Sequence, residues 1–331
     1  MEILGIISRD LQKASTWYRL VQYLEFLKRN GIGVEFVRRK EIDAAVINRA
    51  GDTDLVFNQK CLFKSSRAKR LIDNSKRTIF DFDDAIYTRP GKPGFFLTRI
   101  RVLKRLKLWL TRSDIVTTAN GYLAGYARKY SENVVIVPMA IDLDIWRPLK
   151  SFRKDKVVIG WAGAPVNVHL LERLDPVLSA LTKRYPAVRV AVFSGKKPQL
   201  SFPFQFFPYK QGKEAGFVQR LDIGLLPLHY DHFSKGKSPI KAIQYLACGL
   251  PVVGNIMGAT REILNEENSI AVTTHKEWLN ALMKLIENRK LSQQMGEAGR
   301  SLAERQHNIK KIRERFLNVL RDGPCESYEG R

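Results

Sequence analysis

Two hydrophobic patterns alternate along the chain. Short, nearly continuous apolar runs recur at Glu2–Ile7, Gly33–Val37, Leu55–Phe57, Thr78–Phe82, Ser113–Thr118 and Val134–Val137, as strands buried on both faces require. Between them, apolar residues recur every three or four positions. From about Ser15, Leu20, Leu24 and Leu27 share one side of a predicted helix that stops at Asn30-Gly31, and another helix is predicted after Thr118 through Tyr130. Strand and helix in turn imply a parallel sheet covered by helices.

The alternation restarts after a polar, basic stretch from Pro148 to Lys156. Val157–Gly160 predicts a strand, Asn167–Arg184 a helix, and Arg189–Phe193 and Gln205–Tyr209 two further strands. Ile223–Leu226 predicts the strand ahead of GKSPIKAIQYLACGLP, residues 236–251. There Ile240, Ile243, Leu246 and Ala247 mark a short amphipathic helix. It is entered through Pro239, stopped by Gly249 and Pro251, and followed by a strand at Val252-Val253. Helices are predicted over Glu277–Glu287, Lys290–Gln306 and Ile309–Leu320, with a loose tail at Glu326–Arg331. The two α/β halves meet near Leu149, giving domains over 1–149 and 150–308 and a final helix and tail over 309–331.

Composition adds an electrostatic constraint. The 331 residues are 44% hydrophobic and 27% charged, enough apolar surface for two cores. The formal charge is +23, which implies an anionic partner: a membrane surface, nucleic acid or a phosphorylated substrate. Basic strands interleaved with aromatics and recognised nucleic-acid modules are missing, so no nucleic-acid partner is expected. Cys61, Cys248 and Cys325 are odd in number and far apart, fitting a reducing, cytoplasmic setting. No run of about 18 uncharged apolar residues is present to span a bilayer. MEILGIISRD is acidic too early for a secretory signal and reads as the first strand.

The basic excess of the first half is concentrated. Residues 60–112 hold fifteen Lys/Arg against four Asp/Glu. After a turn cluster at Pro90–Gly94, residues 95–112 read FFLTRIRVLKRLKLWLTR and contain no acid. Phe96, Ile100, Leu103, Leu106 and Leu110 keep helical spacing among Arg99, Arg101, Lys104, Arg105, Lys107 and Arg112. Such a helix either lies in an anionic headgroup layer or packs on its own sheet with a solvated basic back. The focused charge favours the membrane, with Trp109 as an interfacial anchor.

Three further places carry candidate chemistry. Asp81, Asp83 and Asp84 crowd the end of a predicted strand, where mutual repulsion requires them to be solvated, paired or functional, unless one caps the next helix. The turn Trp161-Ala162-Gly163-Ala164-Pro165 has small residues that let backbone approach a pyrophosphate ahead of a helix N-terminus. Gly236-Lys237-Ser238 feeds a second helix start in the same way, as an anion site or as an ordinary loop before a core helix. His169 is expected on a helix surface.

The 236–251 stretch resembles the donor-site signature of the retaining GT-B glycosyltransferases of the family-4 type, the glycosyl transferases group 1. Ser238, Pro239, Lys241, Gln244, Tyr245, Ala247, Gly249, Pro251, Val252 and Val253 fall in that pattern. Gln244 and Gly236 stand where the motif and its variant carry Glu. The resemblance implies an α/β, GT-B fold: two doubly wound Rossmann-like domains facing an interdomain cleft. It implies an acceptor-binding first domain, a nucleotide-sugar-binding second domain and a last helix returning to the first. Donor contacts are expected from Gly163, Lys237, Ser238, Pro239, Lys241 and Gln244, the lysines neutralising the diphosphate. Acceptor contacts are expected from the first loop through Trp17 and Arg19. Asp83 and Asp84 lie near where other members place a donor-contacting His and become the expected catalytic residues. No cofactor and no metal are expected, although Asp81-Phe82-Asp83 formally matches the metal-holding Asp-x-Asp of GT-A enzymes. The expected acceptor is a glycan or lipid-linked glycan at the cytoplasmic face of the plasma membrane, in lipopolysaccharide or cell-surface polysaccharide assembly. The alternative is a degenerate GT-B protein that binds nucleotide or glycan without catalysis.

Overall fold

The computed structural model describes residues 1–8, 10–88, 96–149 and 156–323, with side chains of the basic helix from Thr98 on. The expected Pro90–Gly94 turn, the stretch 150–155 after Leu149 and the tail from Glu326 lie outside them. The chain divides into two compact units. One comprises Met1–Ala140, Lys235–Ser238 and the chain from Lys310 on, the other Ile141–Ser234 and Pro239–Ile309.

The first unit holds a six-stranded sheet of β1 (Glu2–Ile7), β2 (Gly33–Arg38), β3 (Leu55–Gln59), β4 (Thr78–Phe82), β5 (Ile115–Thr118) and β6 (Val134–Ile136). All neighbours are parallel, in the order β2-β1-β3-β4-β5-β6. Every residue of β3, β4 and β5 is buried, which is why these segments read as solid apolar runs rather than alternating ones. The connecting helices are α1 (Ala14–Arg19), α2 (Leu24–Arg29), α3 (Ala44–Asp52), α4 (Ser65–Asn74), α5 (Phe96–Arg112) and α6 (Gly121–Ala127). The single helix predicted from Ser15 is therefore two. It breaks at Leu20 (φ −144°, ψ −54°), and Arg19, Leu20 and Tyr23 all turn inward.

α5 corrects one expectation. Trp109 is fully buried, stacked on Phe80 at 5.6 Å between centroids with Phe63 at 6.2 Å. It is a core residue and no interfacial anchor, because Leu106, Trp109 and Leu110 form the stripe with which α5 covers its own sheet. Arg101, Lys104 and Lys107 are exposed.

The second unit holds β7 (Val157–Ala162), α7 (Val168–Glu172), α8 (Asp175–Arg184), β8 (Val188–Ser194), β9 (Gln205–Pro208), α9 (Glu214–Val218), β10 (Ile223–Leu226), α10 (His232–Lys235), α11 (Ile240–Ala247), β11 (Val252–Gly254), β12 (Ser269–Ala271), α12 (His275–Glu287) and α13 (Arg289–Gln306). Its sheet runs β12-β11-β10-β7-β8-β9, again all parallel. The predicted Asn167–Arg184 helix is split because Pro176, which lacks an N–H, starts α8. Trp161, Leu171, Leu178, Val190, Trp278 and Leu282 centre the core.

The last helix, α14 (Ile309–Arg321), packs on the first unit. Phe316 lies 5.0 Å from the Tyr23 ring and edge-on to Phe57 at 5.8 Å. Arg77 donates to the carbonyls of Val319, Leu320 and Arg321 at 2.9, 2.9 and 2.7 Å, satisfying acceptors that a helix end leaves open. Among the described residues no helix is long and apolar enough to cross a membrane.

Candidate functional site

In the first unit the acidic cluster is a paired network. Asp81, inside β4, is fully buried against Arg19, which is itself 2% exposed. Arg19 Nε lies 3.1 Å from both Asp81 carboxylate oxygens, its terminal nitrogens reach Asp81 and the Val137 carbonyl, and Thr117 Oγ1 donates to Asp81 at 2.8 Å. Arg19 therefore does not present its guanidinium to an acceptor, contrary to expectation. Its charge is needed inside, where an unpaired carboxylate would be costly. Trp17 lies with Arg19 in α1 and not in a loop as expected, and is 43% exposed.

Asp83 and Asp84 share a cation that the sequence reading missed. Lys60, one residue beyond β3, places Nζ 2.5 Å from Asp83 Oδ1 and 2.7 Å from Asp84 Oδ2. Its backbone sits in the left-handed region at φ +42°, uncommon for a residue with a side chain, and its N–H donates to the Asp81 carbonyl at 2.7 Å. Ser15 Oγ donates to Asp83 Oδ1 at 3.3 Å. Burial disfavours both charges, but the pairing outweighs it: Lys60 is pushed above its ordinary range and Asp83 is held below the usual carboxylate range. Asp83 is thus a nearly buried carboxylate whose charged form is favoured by Lys60. Asp84 keeps 21% of its side chain exposed. A lysine just past a strand gives little signal on its own, since its partners come from the end of the neighbouring strand, some two dozen residues on.

The Lys235–Ser238 segment joins this cluster. Ser238 Oγ donates to the Asp83 carbonyl at 2.7 Å. A Cβ added to Gly236 would stand 2.6 Å from the Cβ of Ala85 and 3.0 Å from Leu123. The chain has glycine where the motif variant has Glu because the backbone lies against Ala85 with no room for a side chain.

In the second unit α11 is held by Tyr245. This residue is fully buried, accepts the Ala162 N–H at 3.0 Å, and packs so closely on β10 that a Cβ at Gly224 would lie 2.5 Å from its ring. Burial pushes the phenol above its ordinary range. At the far end, Gly249 at φ +71° donates to Leu246 O while Leu250 N–H reaches Tyr245 O at 3.0 Å, the paired bonds of a Schellman stop. At its start, Pro239 makes no side-chain cap and the first turn carries no acid. These first-turn amides leave α11 able to receive an anion.

The other donor-site candidates fall around this frame. Lys241, in the first turn of α11, lies 3.2 Å from Glu214, both side chains being 26% exposed. Gln244 is 1% exposed. Gly163 donates its N–H to the Phe193 carbonyl at 3.0 Å, so that amide is not available to a pyrophosphate, and a Cβ there would meet the Trp161 ring at 2.0 Å. The smallness of residue 163 is thus a packing requirement. His169 is exposed, with Nε2 2.8 Å from Nε2 of His229. Among the described residues no group of three or more His, Cys, Asp or Glu is placed to hold a metal ion.

The family model described as glycosyl transferases group 1 matches residues 202–302, a span that contains β10, α11 and β11. No curated protein matches the sequence. Among solved structures, the chain is similar to a sucrose-phosphate synthase from Thermosynechococcus elongatus (15% identity, TM-score 0.76, covering 97% of this chain and 98% of that one). It is also similar to HepE of Anabaena in complex with UDP (15% identity, TM-score 0.72, 97% and 99% covered). A third is an alpha-glucosyltransferase in complex with UDP and a 13-mer DNA (12% identity, TM-score 0.60, 97% and 99% covered). At such identities likeness speaks for architecture, and two parallel six-stranded sheets, each with its flanking helices, give this chain the GT-B fold of two Rossmann-like domains.

Proposed function

We propose that this protein is a retaining glycosyltransferase of the family-4 type that moves a sugar from a nucleoside-diphosphate donor to a glycan or lipid-linked acceptor. One observation carries the reading: the group 1 family model falls on the segment that builds α11, whose start has no capping side chain and no acid in its first turn. An anionic diphosphate seated there would meet helix amides, with Lys237, Lys241 and Ser238 beside it in sequence. Gln244 would take the place of a ribose-binding Glu, an amide being able both to accept from and to donate to a diol.

Catalysis on this reading is positioning and electrostatics without a metal or cofactor. Asp84, the more exposed carboxylate, would touch the sugar or the acceptor hydroxyl, and Asp83, tied to Lys60, would hold it in place. The basic back of α5 would dock the enzyme on an anionic membrane at the cytoplasmic face, in cell-surface polysaccharide or lipopolysaccharide assembly. The solved UDP complexes of similar fold make a uridine nucleotide the first donor to test.

The test is a melting screen with UDP-, GDP-, ADP- and CMP-sugars, since ligand bound only by the folded state raises the transition. One nucleotide series should raise it, and the product formed from that donor should retain the anomeric configuration. No shift with any of them would end the reading. A shift with neither hydrolysis nor transfer would leave a nucleotide-binding GT-B protein without catalysis.

A further inference from the structure

A cavity of about 640 Å³ opens in the first unit, away from α11 in sequence and lined by six cationic side chains: Arg38, Arg39, Lys40, Lys64, Arg67 and Arg105. Its size is that of a small-molecule site. It lies where β1, β2 and β3 end, bounded by Ser8 after β1, by Arg38 as the last residue of β2, and by Phe63 and Lys64 after β3. Carboxyl ends of parallel strands are where doubly wound sheets receive ligands.

The charges at this cavity are unbalanced. Asp10 is the one acid in the lining, and it lies 3.7 Å from Arg38 with both side chains about half exposed. Among the described residues Arg39, Lys40, Lys64, Arg67 and Arg105 have no carboxylate within ion-pair distance. Lys64 and Arg67 bracket the first turn of α4, which has no side-chain cap and no acid, adding amide donors and the positive end of a helix dipole. Clustered like charges repel, and in a concave wall their field is focused. The three arginines beyond the Asp10 pair offer planar forks that suit phosphate oxygens. A lone phosphomonoester carries at most about two charges and would leave most of this excess uncompensated.

We infer that this cavity binds a diphosphate, or two neighbouring phosphates, on the acceptor. The inference rests on the transferase reading for the word acceptor, while the anion site itself stands on the cavity and its charges. The phosphates come either from a polyprenyl diphosphate carrier or from a phosphorylated glycan, and both present the same group to the arginines.

The probe is inorganic pyrophosphate, titrated calorimetrically into the full chain with saturating UDP present to occupy any donor site. Binding is expected, weakening with salt. It should fall at least about tenfold in Arg39→Gln/Arg67→Gln, recover in part in Arg39→Lys/Arg67→Lys, and stay unchanged in Lys129→Gln. All these side chains are exposed, so the fold should survive, which circular dichroism checks. Absence of binding, or equal binding by the double Gln variant, overturns the inference. Competition then identifies the source. Displacement by phosphatidylcholine vesicles doped with polyprenyl diphosphate, but not by undoped ones, supports the carrier. Displacement by a soluble phosphorylated oligosaccharide supports the glycan. Displacement by a short DNA duplex and by neither of these overturns the acceptor assignment in favour of nucleic acid. Loss of the nucleotide-sugar response with Arg67-dependent pyrophosphate binding intact would remove the transferase reading and keep the anion site.

Discussion

The ammonium group of Lys60 lies 2.5 Å from the carboxylate of Asp83, joining the end of β3 to the end of β4 with side chains only 12% and 4% exposed. Removing one partner of so enclosed a pair leaves the other charged and desolvated. Lys60→Met should therefore lower unfolding free energy by about 3–5 kcal/mol in urea titration and abolish transfer, whereas Lys60→Arg should keep much of the stability.

The same pair sets a pH dependence. Asp83 is depressed in the folded state, so it contributes stability that is complete above the ordinary carboxylate pKa of about 3.9 and is lost as pH falls through the folded value. Lys60 is raised and contributes stability that is lost only on the alkaline side, as pH rises through its folded value. Wild type should hold a plateau between these limits and lose stability below about pH 4. Asp83→Asn should start lower and show a shallower acid loss in the same melts.

The two faces of α5 should separate in one pair of experiments. Trp109→Ala removes a fully buried ring from Phe80 and should cost about 3–5 kcal/mol. Arg101→Gln/Lys104→Gln/Lys107→Gln changes only exposed positions and should leave the melting temperature within a degree or two while releasing the protein from anionic vesicles in sedimentation. Unchanged sedimentation of the triple variant would remove the membrane from the proposal.

Restoring the motif's acid at Gly236 should fail. Gly236→Glu places its Cβ 2.6 Å from Ala85, and overpacking of this kind costs about 1–3 kcal/mol. Melting temperature and transfer activity should drop together in that variant.

Lys241→Gln removes a cation from the first turn of α11. It should weaken binding of the nucleotide-sugar by about tenfold, read as a loss of ligand-induced thermal shift. Because its partner Glu214 is only about three-quarters buried, stability without ligand should change by less than about 1 kcal/mol.

Periodicity alone determined the alternation of strand and helix in both halves, the buried character of β3 to β5, and the place of α11 between its proline and its glycine. These are local facts: solid apolar runs, three-and-four spacing, a residue without an N–H, and a residue free to take positive φ. The break at Leu20, the turning of Trp109 into the core, the pairing of Arg19 with Asp81, and the pairing of Lys60 with Asp83 and Asp84 were decided by tertiary structure. Each depends on which residues of distant strands arrive side by side. A buried charge takes its nearest opposite charge, and an aromatic ring takes the largest apolar surface, whatever role the linear pattern offers them. The convergence of Arg39, Lys64, Arg67 and Arg105 on one cavity belongs to the same class, since three separate stretches of sequence meet there only through the packing of α4 and α5 beside the strand ends.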